Sequence, residues 1–222
     1  NVDEWSPAHV WILLAYPIVI LTVHYLVRYA EEYVTDKMEV KRMKPIVSDA
    51  SVFNNLLKQQ KHYEVSDDDS SIIIGNQEAL NTLTVFSNPH CKACAEMHKA
   101  LSMLINNSKG IKLQYIFTSL GKNNEQDCLF LIESFIKDKL SFPELLDKWY
   151  ASGRKHHYSN LPKESFKDDT INQYYSHTRC FDRCQFHMTP VVLLNGFALP
   201  RGYPILELQY LDFSSIHMGR EG

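Results

Sequence analysis

The spacing of hydrophobic and polar residues changes several times along the chain, and each change marks an element. Residues 10–27, VWILLAYPIVILTVHYLV, run eighteen positions without a formal charge and just reach the length of a bilayer span. Trp5 and Trp11 at one end, with Tyr25, Arg28 and Tyr29 at the other, stand where interfacial anchors belong. The run also lacks the polar stripe of a soluble helix, so one transmembrane helix is expected within residues 1–29. His24 lies near the end of that span, within reach of the headgroup layer, and is assigned no role. From residue 30 the pattern turns charged and helical, EEYVTDKMEVKRMK, and breaks at Pro45. It restarts behind the capping residues Ser48 and Asp49 as VFNNLLKQQ, a short packing helix. SDDDSS, 66–71, has no helical period. A helical stalk or linker is therefore expected over 30–71, a folded domain over 72–213 and a tail over 214–222.

Within the domain, SIIIG and LTVFS (83–87) have the character of short strands, the second stopping at Asn88-Pro89. CAEMHKALSMLI then carries apolar residues at helical spacing, and IKLQYIF (111–117) is a further strand. A largely helical stretch follows from 124 to about 184, broken at Pro143, Gly153 and Pro162. VVLLNGFALP joins two apolar runs through Asn195-Gly196, a strong hairpin signal, and a helix over 205–211 closes the domain. No internal repeat is visible. This order predicts an α/β domain with a mixed sheet and a helical insertion. The right-handed crossover rule sets 83–87 and 111–117 side by side and parallel, with the chemical face at their C-terminal edge.

Composition narrows the function classes. The chain has 222 residues, enough for one ordinary domain plus an appendage. Hydrophobic residues at 45% and charged residues at 22% exclude a disordered or a wholly membrane-embedded protein. A formal charge of -3 gives no electrostatic reason for a nucleic-acid partner. Five cysteines are too few for a disulfide scaffold, and their odd number leaves at least one thiol free unless another chain pairs with it. The chain opens on Asn1 with no charged leader, which reads as the C-terminal piece of something longer.

The chemistry concentrates in NPHCKACAEMH, 88–98. A C-x-x-C at the start of a helix sets its first sulfur beside unpaired backbone N–H groups and the positive end of the helix dipole, which favours thiolate. Cys91 is the candidate nucleophile and Cys94, one turn on, the resolving thiol. Lys92 and His90 are expected to favour the Cys91 thiolate further, the lysine permanently and the histidine only when protonated. Zinc is an alternative, because Cys91, Cys94, Cys180 and Cys184 could supply four thiolates with His90, His98, His177 and His187 nearby in sequence. Structural zinc usually sits in short loops that it folds outright, whereas this pair closes a βα turn in a domain large enough to fold alone; no metal is expected. A purely structural bridge is the other alternative, but it would close too small a loop to stabilise much.

The discriminating feature lies downstream, where Thr189-Pro190 immediately precedes the hairpin strand, an unusual place for proline. TVFSNPHCKACAEMH with TPVVLLNGFALP resembles the thioredoxin-like superfamily over about residues 72–213. Within it the chain resembles the disulfide oxidoreductase domains fused to bacterial vitamin K epoxide reductase homologues. The resemblance implies a thioredoxin-like fold in which Pro190 is cis, packs against the C-x-x-C and fills the space a metal would need. Thr189 would offer backbone bonds to substrate. It also implies that 10–61 is a final membrane helix and stalk leading out of a quinone-linked module that is not within these 222 residues. No cofactor is then expected in the domain itself, with a quinone implied for the partner module. The implied partners are cysteine-containing proteins or peptides, the vitamin K epoxide reductase-like module and the membrane. Two departures stand out. Lys92-Ala93 replaces the Gly-Pro frequent in relatives, so no redox potential carries over, and Arg179 precedes Cys180 where an aromatic residue is common.

Other residues receive plainer readings. Cys180 and Cys184, four apart on a helix, are either two partly buried thiols behaving as small hydrophobes or a second exchange pair. Cys128 is a core residue, KHHY at 155–158 a solvated loop, and Glu96 and His98 surface positions. Trp149-Tyr150 packs the inserted helices or lines a peptide groove. The resulting expectation is a membrane-tethered thiol-disulfide oxidoreductase of the bacterial inner membrane. Its domain would lie in the periplasm, oxidise protein thiols and pass electrons to the quinone-linked module. A reductase or isomerase, or a non-enzymatic thiol- or zinc-binding module of a peptide export or maturation complex, are the rivals. Arg28, Lys37, Lys41, Arg42 and Lys44 follow the span while no Lys or Arg precedes it, and the positive-inside rule points to the opposite orientation.

Overall fold

The computed structural model describes residues 16–29, 49–120, 125–152 and 166–213, in two compact units, Asn1–Val47 and Ser48–Gly222. In the first unit the described part is a helix, α1, over 16–29. Its apolar side chains, Leu21 and Leu26 among them, are exposed, and the Thr22 hydroxyl bonds back to the carbonyls of Ile18 and Val19, each at 2.9 Å. Among the described residues no helix is long and apolar enough to cross a membrane. Residues 10–15 of the expected span lie outside the described residues, as do 30–48 of the expected stalk and KHHY at 155–158.

The second unit opens with α2 (Ala50–Lys58), capped as the sequence suggests by Asp49, whose carboxylate accepts from the Ser51 N–H at 2.8 Å and the Val52 N–H at 3.1 Å. Phe53 and Leu57, one turn apart, are fully buried in the main core. The order continues as β1 (Ile73–Gly75), β2 (Asn81–Ser87), α3 (Lys92–Asn107), β3 (Ile111–Phe117), α4 (Glu125–Lys137), α5 (Phe142–Ala151), α6 (Asp168–Arg183), β4 (Val191–Leu194) and β5 (Phe197–Ala198). The sheet runs β1-β3-β2-β4-β5, with β2 and β3 parallel and the other pairs antiparallel. This is the expected mixed sheet with its helical insertion.

Alternation along the central strands builds two core layers. Leu83, Val85, Leu113, Tyr115, Phe117, Val192 and Leu194 face the larger one, together with α2, α3, α4 and α5. Phe86, Ile116 and Leu193 face the smaller one, covered by the last turns of α6. Strands buried on both faces need apolar residues at nearly every position, which is why 83–87 and 111–117 read as runs rather than alternations.

The β4–β5 turn uses Asn195 at φ 50° and Gly196 at φ 85°. Asn195 also ties the turn to β2, accepting from the Thr82 N–H at 2.9 Å and donating to Asn81 at 2.8 Å. A Cβ on Gly196 would lie 2.6 Å from the His62 ring and 2.8 Å from the Tyr63 carbonyl, so glycine is required for space as well as conformation. That crowding exists because residues 61–63 run antiparallel along β5, with Tyr63 N–H donating to Gly196 O at 2.8 Å and Ala198 N–H to Lys61 O at 3.0 Å.

Two expectations change. The boundary drawn at 72 moves to 48, because α2 fills the core, 61–63 extend the sheet and Ser70 is buried within the fold. Ser70 donates to the Tyr115 carbonyl and receives the His177 Nε2–H at 2.8 Å, while His177 Nδ1 accepts the Phe117 N–H at 3.2 Å. The polar character of SDDDSS therefore reflects buried bonds and an Asp69–Arg183 ion pair of 2.6 Å as well as a turn. The helix expected over 205–211 is a 3-10 turn, Ile205–Tyr210, too short to hold a full α-helical ladder behind Pro204.

Candidate active site

β2 ends at Ser87, and the chain turns through Asn88-Pro89-His90 into α3, with Cys91 as the N-cap. Asn88 organises the turn: its carbonyl accepts the Cys91 N–H at 3.1 Å and its side chain accepts the His90 N–H at 2.8 Å. The Asn88 N–H in turn points at the Cys94 sulfur, 3.5 Å away. The Cys91 sulfur accepts the Cys94 N–H at 3.3 Å, the N-terminal donor the sequence promised it. Thr189-Pro190 is a cis bond, and the Thr189 carbonyl stands 3.5 Å from the Cys91 sulfur, which donates to it. Residues 98 positions apart in sequence thus meet at one sulfur.

The two thiols differ in the way exchange chemistry requires. Partial burial pushes the Cys91 thiol up, but bonds from Cys94, from the Thr189 side chain and from the Ala93 backbone outweigh it, and the net direction is down. Cys94 is almost wholly buried, and burial pushes it up to about 11 despite bonds from Thr189, the Asn88 backbone and Ser87. One sulfur is reachable and acidic; the other is covered and holds its proton.

The inserted helices support this turn from below. His90 Nε2 pairs with the carboxylate of Asp127, a fully buried residue in the first turn of α4. The Trp149 indole packs edge-on to the His90 ring and donates to the Pro89 carbonyl at 3.0 Å. The Tyr150 hydroxyl meets the Ser87 hydroxyl at 2.6 Å in the interior. Trp149 and Tyr150 are both buried, so they pack the insertion and do not line an open groove. His98, expected at the surface, is buried on the same helix face as Cys94 and Leu101, bonded to the Tyr115 hydroxyl at 2.7 Å and to Asp147 at 2.8 Å. Burial lowers its affinity for a proton, and Asp147 offsets part of that.

The remaining candidates are not all at the site. The Lys92 side chain is 85% exposed with its ammonium 3.9 Å from Glu96, so water and a carboxylate screen it. Cys180 and Cys184 lie in the smaller core layer with Phe86 and Leu193, across the sheet from Cys94, and burial pushes both thiols up. The four cysteines weighed for zinc therefore do not converge, and burial outweighs the Arg183 charge that would favour a thiolate at the second pair. Cys128 is a buried core thiol as expected. Sequence reasoning missed Asp127 and Ser87. Asp127 carried a readable signal: a carboxylate one turn before Leu131 on the apolar face of α4 needs a partner.

A family model described as thioredoxin matches residues 67–197, more than half of the chain, and the chain belongs to that family. Among curated proteins nothing matches. Solved structures share the fold. The catalytic domain of Proteus mirabilis ScsC is 16% identical, covering 71% of this chain and 98% of its own, with a TM-score of 0.55. The thiol-disulfide exchange protein alpha-DsbA2 from Wolbachia pipientis is 12% identical, covering 76% and 96%, at 0.52. A periplasmic thioredoxin-like protein from Salmonella enterica serovar Typhimurium is 12% identical, covering 65% and 92%, at 0.53.

Proposed function

We propose that this chain is a thiol-disulfide oxidoreductase that exchanges its Cys91/Cys94 pair with cysteines of extracytoplasmic proteins. The observation that carries the reading is the division of labour at the turn: a half-buried Cys91 held towards thiolate, a buried Cys94 held as thiol, and the Thr189 carbonyl beside the first sulfur. In the oxidising direction a substrate thiolate attacks the Cys91 sulfur of the Cys91–Cys94 bridge, and Cys94 leaves as thiolate and takes a proton. A second substrate thiolate then attacks its own sulfur in the mixed disulfide and releases Cys91. The substrate gains one disulfide and the protein two thiols. A low Cys91 pKa makes that sulfur a good leaving group in the second step, which favours oxidation of substrate. Thr189 and Pro190 flank the reacting sulfur where a substrate backbone would lie. His90, held by Asp127, and the exposed Lys92 are secondary influences on it. A thiol-disulfide exchange protein among the structural neighbours supports the same chemistry.

The finer reading is a membrane-tethered enzyme whose domain faces the periplasm and whose electrons pass to a quinone-linked, vitamin K epoxide reductase-like module. It rests on the uncharged run 10–27, on the exposed apolar sides of α1 and on the periplasmic neighbour. Refolding of reduced, denatured RNase should be accelerated by the oxidised chain and not by Cys91→Ser. Equal rates with both would refute the activity, and equilibration with glutathione buffers sets its direction. An alkaline phosphatase fusion after residue 65 should be active in a bacterial host; an inactive one would reverse the orientation.

A further inference from the structure

The bonds that reach the two sulfurs come from different parts of the chain. Cys91 is served by the first turn of α3, through the Cys94 N–H at 3.3 Å and the Ala93 backbone, and by Thr189. Cys94 is served by the Thr189 side chain, the larger of its supports, and by the Asn88 N–H at 3.5 Å, with Ser87 a smaller one. Asn88 lies in the 88–90 turn ahead of the helix. Inside that turn the Asn88 side chain accepts the His90 N–H at 2.8 Å, and the Asn88 carbonyl accepts the Cys91 N–H at 3.1 Å. From outside, the Trp149 indole of α5 donates to the Pro89 carbonyl at 3.0 Å, and Asp127 of α4 pairs with the His90 ring. Among the described residues Asp127 is the only carboxylate with no exposure, a placement that costs stability unless a partner is held to it. An unbroken run of bonds thus leads from the helical insertion, through His90 and Asn88, to the Cys94 sulfur.

We propose that Asp127 and Trp149 are positioning residues for the resolving step: they hold the 88–90 turn so that the Asn88 N–H stays aimed at the Cys94 sulfur while that sulfur carries charge. The inference rests on the exchange reading above. In the step concerned, the Cys94 thiol loses its proton to water and its electron pair attacks Cys91 in a mixed disulfide. The Cys91–Cys94 bond forms, the bond from Cys91 to the other sulfur breaks, and that partner leaves as thiolate. The Asn88 N–H keeps its own proton and lowers the cost of negative charge on a buried sulfur. A hydrogen bond weakens steeply with misalignment, so a turn released from either handle loses part of that support. The first step, attack by Cys91, draws on α3 and Thr189 instead.

Reaction of the reduced full chain with one equivalent of 5,5′-dithiobis(2-nitrobenzoate) separates the steps. A first thionitrobenzoate is released when Cys91 attacks the reagent. A second, identified by its loss in Cys94→Ser, is released when Cys94 resolves the adduct. Asp127→Ala should slow the second release about tenfold and Trp149→Phe, which keeps a packing ring, about threefold, with the first release unchanged. Asp127→Asn keeps an oxygen for the His90 ring and should restore most of the rate. In a chain that already carries Asn88→Ala, which cuts the link from His90, Asp127→Ala should have no further effect, whereas a general structural role would add its full cost. Trp149→Phe decides the matter alone if Asp127→Ala does not fold. Second releases within twofold of the unaltered chain in Trp149→Phe and, where it folds, in Asp127→Ala overturn the assignment. So do first and second releases slowed alike, or an Asp127→Ala effect undiminished beside Asn88→Ala. If the unaltered chain gives no second release, the exchange reading itself fails.

Discussion

Lowering the pH from 7 to 5 should destabilise the Ser48–Gly222 unit through His177, a residue remote from the thiols. Its ring is fully buried, and the Phe117 N–H occupies Nδ1, which fixes the proton on Nε2 facing Ser70. A second proton would set an N–H against a backbone N–H with no water to help. Burial accordingly depresses the group from 6.5 to about 3, with the Phe117 bond and the Asp69 charge as smaller influences. The unfolded chain binds this proton below about 6.5 and the folded chain does not, so stability is complete above that pH and falls until about 3. At pH 5 the loss is about 1.5 units times 1.36 kcal/mol, or about 2 kcal/mol. His98, also shifted down by burial, adds in the same direction. With a urea slope of about 2 kcal/mol per molar, the unfolding midpoint followed by far-ultraviolet circular dichroism should drop by about 1 M or more. His177→Gln should remove most of the His177 share whatever its own stability. A variant whose midpoint falls as far as that of the unaltered chain would refute the reasoning.

Alkylation of the reduced chain with iodoacetamide at pH 7, read by peptide mass spectrometry, should label Cys91 and spare Cys94, whose thiolate fraction at a pKa of about 11 is on the order of one in ten thousand; equal labelling would contradict the division between the sulfurs. Gly196→Ala should cost about 3 kcal/mol, since it adds a positive φ to a clash with His62 and Tyr63, and lower the melting temperature by about 10 °C. Phe53→Ala should cost about 3–5 kcal/mol of unfolding free energy, because the side chain is fully buried in the domain core; a near-neutral result would return α2 to the stalk.

What could be read from the sequence was local, and what could not was mostly contact between distant segments. The strand 111–117 was legible to the residue because its apolar run is bounded by Lys109-Gly110 and Thr118-Ser119. The hairpin was legible because Asn195-Gly196 accepts backbone angles other residues resist. Cys91 was placed at the α3 start by a breaker, Pro89, and a periodic run behind it. The Asp127–His90 pair, 37 positions apart, has no local signature in its partner, and Ser87 is one serine among many until Tyr150 arrives 63 positions later. His98 was misread because polarity was taken as exposure, although its spacing from Cys94 and Leu101 puts it on the inward face. The boundary was misplaced for a similar reason: a polar, acidic segment can be pinned by buried bonds as well as left free.

Residues 61–63 close one margin of the sheet. A shorter chain cut at residue 72, where composition suggests a safe place, would strip β5 of its covering strand and empty the seat of Phe53 and Leu57. Unpaired backbone groups beside bared aromatic surface are a template for self-association. Truncated forms should therefore precipitate or pair edge to edge while their thiol turn remains intact, and a cut ahead of residue 48 should not.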